Sequence, residues 1–366
     1  MWIHFLILIL IYLITYFGCL HNKKSKYMFI GLFLLFYVFA AFRSLEVGND
    51  TQEYYRIFRL ISNQQSLTTA LTVSRYEVGY IIYNYVISRV TSNFQWILAI
   101  NSGVYIGASI WFVNKYSTSF KKAIILFFTF GMYYNAMNIE RQCIAIAIFL
   151  IAIPFLERKQ YIRYIVLILL ASTFHMMTIV LLALVIIPKI DFTKMGDIFK
   201  WSAIAIVFLV VLNYGVNGLM GFFPYLSHYL TDSIYSEGGV RIASIALCGI
   251  RIISVGLLLL VNGGKLPNTR ENETDTANVF YKILLLDCVI SIAAIGFNMY
   301  DRIEKYVCIG FIVAIVNAIE AVSNRSNRSI IYGIVFIISF GYLTVSLIYR
   351  PEWSGIFPYS FYNFLQ

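Results

Sequence analysis

The side chains with the most chemical potential are three arginines, Arg43, Arg141 and Arg302, and three proton acceptors, Asp50, Glu77 and His175. Arginine presents a planar, permanently charged fork of donors that matches phosphate oxygens two at a time. A carboxylate, or a histidine near its ordinary pKa of about 6.5, takes a proton from a hydroxyl held within hydrogen-bond reach. Together such groups suit chemistry on a lipid-linked sugar phosphate, with a phosphate or pyrophosphate as leaving group and a sugar hydroxyl as acceptor. No metal or other cofactor is demanded, because arginines can neutralise the departing anion. Each residue also has a plainer reading. Arg43 anchors the end of a helix, Arg141 snorkels to headgroups, and Arg302 pairs with Asp301 or Glu304. Asp50 caps a helix, Glu77 begins one, and His175 bonds a carbonyl in a hairpin.

The elements that must position these groups follow from composition. The chain has 366 residues, 60% hydrophobic and only 13% charged. Soluble domains are about half apolar and about a quarter charged, so a soluble single-core enzyme is excluded. Disorder is excluded by the hydrophobicity, and a secreted disulfide scaffold by only five cysteines. The net charge of +10 invites a nucleic-acid reading. In so apolar a chain, membrane topology explains it first, and no nucleic-acid partner is expected.

Apolar runs long enough, or nearly so, to cross a ~30 Å hydrocarbon layer recur throughout. They predict an all-α polytopic membrane protein with about 12 transmembrane helices, near 2–20, 28–42, 95–113, 123–138, 141–156, 161–174, 176–188, 199–217, 242–261, 279–297, 306–323 and 330–349. The first run lacks a basic leader and a small-residue cleavage site, so it reads as a retained helix. The chain is expected to form a single integral membrane domain over 1–366.

The lysines set the orientation. The links 21–27, 114–122, 157–163, 189–200, 262–278 and 324–329, with Lys282 at the start of the tenth span, hold every lysine except Lys305. That side is expected to be cytoplasmic, with both termini outside. A full span at 76–90 would flip Lys115, Lys121 and Lys122 outward. Segment 76–90 is therefore expected to be an interfacial or re-entrant helix within a long outer loop, 43–94. Residues 218–241 form a second outer loop, and 262–278 a polar cytoplasmic loop. Arg43, Asp50, Glu77, Arg141, His175 and Arg302 all then fall at the outer face. Arg251 and Asp287 lie deeper in their spans and are expected to pair.

The order of motifs resembles the EpsG/Wzy-like polysaccharide polymerase family. The motifs are Arg43 with Gly48-Asn49-Asp50-Thr51 and Tyr54, then Glu77-x-Gly79-Tyr80, then Arg141-Gln142 opening an apolar helix. They continue with Ala171-Ser172-Thr173-Phe174-His175-Met176, Asp301-Arg302-x-x-x-Tyr306, and a late Pro358-Tyr359. The resemblance runs from about residue 40 to the end; one departure is Gly48-Asn49-Asp50 where the family has a Gly-Thr-Asp-like stretch. It implies a helical bundle related to GT-C glycosyltransferases. It also implies polymerisation of undecaprenyl-pyrophosphate-linked oligosaccharide repeat units at the outer face of a bacterial inner or plasma membrane, as in O-antigen, capsule or exopolysaccharide synthesis. A flippase and a chain-length regulator would be the accompanying partners, besides the bilayer. On this reading Arg43, Arg141 and Arg302 bind the pyrophosphate, and Asp50, Glu77 or His175 is the base. The alternatives are a GT-C-type transferase with a polyprenyl-phosphate donor, and a lipid-linked oligosaccharide flippase.

Overall fold

The computed structural model describes residues 2–21, 26–189, 242–261, 276–296 and 298–363, with a few isolated positions between 200 and 207. Among the described residues the chain is helical, with no strand beyond one isolated bridge. Two compact units emerge. One comprises residues 1–179 and 336–366, the other residues 180–335.

The first unit begins with α1 (Trp2–His21) and α2 (Lys26–Ala41), apolar on nearly every face, as buried or membrane-embedded helices are. Three short helices follow: α3 (Thr51–Ser62), α4 (Leu67–Ala70) and α5 (Val78–Val90). In α3 the residues Thr51, Tyr54, Ile57, Phe58 and Ile61 recur at helical spacing and are buried, while Gln52, Glu53 and Arg59 face outward. At 13 residues, α5 covers about 20 Å, less than a ~30 Å hydrocarbon layer.

The central helix α6 (Gln95–Tyr116) is about 33 Å long and packs against α2 and against α8 (Glu140–Glu157). The expected span at 123–138 is interrupted. Helix α7 (Phe120–Thr129) runs only ten residues, Gly131 takes the left-handed conformation at φ +77°, and a 3-10 segment covers Met132–Met137. Glycine adopts that angle without steric cost, and it ends the α-helical path there. Helix α9 (Tyr161–Ser172) packs on α8. The run at 176–188 is a 3-10 segment, Met176–Lys189, rather than an α-helix.

The second unit contains α10 (Ile242–Val261), α11 (Thr276–Gly296) and α12 (Asn298–Ala321), which pack on one another. Helix α13 (Arg325–Thr344) has residues in both units. Among the described residues, α6, α10 and α13 with its π-helical extension to Tyr349 are long and apolar enough to cross a membrane by themselves. The span expected at 199–217, the loop expected at 218–241 and most of the loop at 262–278 lie outside the described residues.

Candidate functional site

In the first unit the residues that close the ends of α2, α5, α6, α8 and α9 meet. Arg43 follows α2 and is fully buried. Its guanidinium donates to the Ala40 carbonyl and to Glu140 at the start of α8. Asn101 Nδ2 donates to the other Glu140 oxygen at 2.7 Å, and the Tyr83 hydroxyl donates to Asn101 Oδ1 at 2.7 Å. Gln95, opening α6, donates to the carbonyls of Ala41 and Arg43. That satisfies an acceptor which the end of α2 leaves without a helical donor.

The loop after Arg43 is pinned from two sides. The C-terminal segment makes an antiparallel bridge between Phe361 and Arg43, and the Ser44 N–H donates to the Ser360 carbonyl at 2.9 Å. The Tyr359 hydroxyl donates to the Phe39 carbonyl at 2.7 Å, so the Pro358-Tyr359 tail is part of this end of the unit. Gly48 has φ +96°, and a Cβ there would sit 1.9 Å from the Met137 carbonyl oxygen. Only glycine fits that close approach. The Asn49 N–H donates to Asn138 at 2.8 Å, and the Thr51 hydroxyl donates to the Val47 carbonyl at 2.7 Å. Asp50 occupies the N-cap position of α3 and is exposed; its side chain does not cap the helix N–H groups.

Glu140 and Arg141 are chain neighbours with different partners. Glu140 takes Arg43, whereas Arg141 is ion-paired to Glu77, just before α5. The second Glu77 oxygen accepts the Met176 N–H at 3.0 Å, which places this carboxylate beside the His175 hairpin. The Arg141 guanidinium lies 4.0 Å over the Tyr76 ring, a cation–π geometry. It also bonds the Tyr54 hydroxyl. Burial pushes that hydroxyl well above its ordinary pKa, against the opposing pull of the Arg141 charge. His175 is buried, and its carbonyl accepts from the Thr178 hydroxyl at 2.6 Å. Gly79 lets the two hairpins touch. Its N–H donates to the Thr173 carbonyl at 2.8 Å, and a Cβ would meet Thr173 Oγ1 at 2.3 Å.

The sequence match decides the family. The EpsG family model matches residues 26–361. The chain belongs to the EpsG family. No curated protein and no solved structure matches it. Membership of the EpsG family suggests a glycosyltransferase-like, polysaccharide-polymerase type of function in a membrane, acting on lipid-linked oligosaccharides.

Of the residues singled out in this EpsG-family sequence, the structure brings Arg43, Glu77, Arg141 and His175 to one end of the first unit, with Asp50 on the adjoining loop. Arg302 belongs to the second unit, in the first turns of α12, half-buried. There Asp301 accepts the Ser244 hydroxyl at 3.2 Å. Glu304 bonds Arg251. The expected pairing of Arg251 with Asp287 is present at 2.6 Å, with Glu304 as a third member. Among the described residues, no group of three or more His, Cys, Asp or Glu side chains is placed to hold a metal ion.

Glu140, Asn101 and Tyr76 join this cluster without being among the candidate site residues of the sequence. Asn101 carried a usable signal, a polar side chain inside an apolar span, which is costly unless it is bonded. Tyr76 had none, being one ring among 28 tyrosines.

Proposed function

We propose that this protein polymerises a bacterial surface polysaccharide. It joins undecaprenyl-pyrophosphate-linked oligosaccharide repeat units by glycosyl transfer at the outer face of the inner or plasma membrane. The observation that carries the reading is the meeting of Arg141, Glu77 and His175 at one end of the first unit in an EpsG-family chain. The placement of charge supports the orientation. Gln95 at one end of α6 holds Arg43, while Lys115 lies 20 residues on, about 30 Å away along the helix. Arg43 thus lies at the end of α6 opposite Lys115, in keeping with the outer side that the positive-inside rule assigns to it.

In the proposed reaction a hydroxyl of the incoming lipid-linked unit attacks the anomeric carbon of the growing chain. The new glycosidic C–O bond forms as the bond to the pyrophosphate oxygen breaks, and that electron pair leaves with the pyrophosphate. Arg141 stabilises the developing negative charge, an electrostatic contribution that is often the largest in catalysis. Stacking on Tyr76 and the ion pair with Glu77 hold the guanidinium in place. Glu77 is the foremost acceptor of the hydroxyl proton, with His175 and Asp50 as the other candidates. Arg43, enclosed with Glu140, acts as a positioning residue that fixes the start of α8 and so of Arg141. The pyrophosphate-binding role expected for Arg302 rests on its place in the Asp301-Arg302-x-x-x-Tyr306 motif alone.

The test is a gel of surface polysaccharide and lipid-linked intermediates from a strain lacking the gene. Loss of the high-mass ladder, with complete single repeat units left on the carrier, is expected. A repeat unit short by one sugar would overturn the reading in favour of a single-sugar transferase. Complete units held on the cytoplasmic face would overturn it in favour of a flippase.

A further inference from the structure

An apolar groove of about 450 Å³ lies between α5 and the end of α9. That volume falls within the range of small-molecule sites. Its walls include Ile82, Tyr83, Val86 and Ile87 on one side and Leu170 and Phe174 on the other. Several of these side chains are open to the surroundings; Val86 is 57% exposed and Leu170 48%.

We propose that this groove holds the isoprenoid chain of the lipid-linked substrate, with the phosphate end at Arg141; the proposal rests on the function given above. Two observations tie the groove to the charged cluster. Gly79 and Thr173, bonded to each other, line the groove, and they stand two residues from Glu77 and His175 respectively. Tyr83 forms part of the wall, and its hydroxyl bonds Asn101, which bonds Glu140, the neighbour of Arg141. The apolar groove therefore lies next in the chain to the residues that hold the Glu77–Arg141 ion pair. That pattern complements a molecule with a long hydrocarbon chain and an anionic head. Burial of the chain against these residues supplies affinity without specificity for the sugar. The head contact with Arg141 fixes the register of the chain.

The experiment uses the full chain in phosphatidylcholine nanodiscs. The probe is undecaprenyl pyrophosphate carrying a benzophenone at the far end of its chain, and the photolabelled peptides are mapped. Label on 78–87 and 170–174 is expected, with competition by unlabelled undecaprenyl pyrophosphate. Val86→Trp, which fills the groove, is expected to cut the label about tenfold, as changes of apolar shape in a binding pocket do. Ile82→Trp is expected to act the same way, and Val90→Trp, beyond the groove, to leave the label unchanged. Label elsewhere, or label indifferent to both groove substitutions, overturns the proposal. Equal competition by phosphatidylglycerol also overturns it, because the groove then holds an ordinary acyl chain. Groove-specific label, in a protein whose deletion leaves polymer length unchanged, supports the groove and overturns the polymerase reading alone.

Discussion

Arg43→Met is expected to cost this protein a large part of its stability. In the folded chain the Arg43 and Glu140 side chains are both fully enclosed, at 0% exposure. Removal of the guanidinium leaves Glu140 with the Asn101 amide as its only remaining bonded side chain. Breaking one side of a buried ion pair strands a charge away from water and costs about 3–5 kcal/mol. Whole domains are stable by only about 5–15 kcal/mol, so a marked fall in folded protein is expected. The double variant Arg43→Met/Glu140→Met removes both charges. It is expected to regain most of the loss, because no uncompensated charge remains. The assay is unfolding of the detergent-purified protein in a double-mutant cycle, with membrane abundance as a second readout. A single-variant cost below about 1 kcal/mol, or a double variant that costs the sum of the singles, would refute the reasoning, since coupled partners are not additive.

Three further outcomes follow from the same structure. Gly48→Ala places a Cβ 1.9 Å from the Met137 carbonyl at φ +96°, so a loss of more than about 1 kcal/mol is expected in thermal unfolding. Arg251→Met strands Asp287 and Glu304 together in the second unit; a loss of about 3–5 kcal/mol is expected, with partial rescue by Asp287→Asn. The Glu53–Arg56 pair on α3 is exposed, so Arg56→Ala should cost less than about 0.5 kcal/mol. The Arg56 hydrogen bond lowers the Glu53 pKa, so this small contribution is present above the ordinary carboxylate value and fades as pH falls through the lowered one; a pH series of unfolding measurements on the wild type and Arg56→Ala checks this.

The membrane class, the helical architecture and most helix positions were legible, because a continuous apolar run of sufficient length reports itself locally. The helix at 76–90 was legible as a short element, through the lysines that a full span would have misplaced. The break at Gly131 was not, because an isolated glycine in an apolar run fits a straight helix as well as a left-handed turn. The start of α3 was legible in Asp50 as a cap, but its extent and α4 were not, because both helices are short. The hardest feature was partner choice. Glu140 and Arg141 are adjacent, yet their partners lie 97 and 64 residues away in sequence. Local spacing offered Arg141 its neighbour Glu140, and only the packing of α2 and α5 against the start of α8 assigns each to a different ion pair. Arg251 and Asp287 were easier, since two isolated charges in apolar spans have few partners.

The most direct test of the central claim is complementation of a null strain with Arg141→Ala and Arg141→Lys, each scored for membrane level and for polysaccharide chain length. The account predicts a lowered membrane level in Arg141→Ala, because buried Glu77 loses its ion-pair partner, and no high-mass polymer from the protein that remains. It predicts at most short chains in Arg141→Lys, because a point charge lacks the bidentate fork. Wild-type chain length in Arg141→Ala would contradict it.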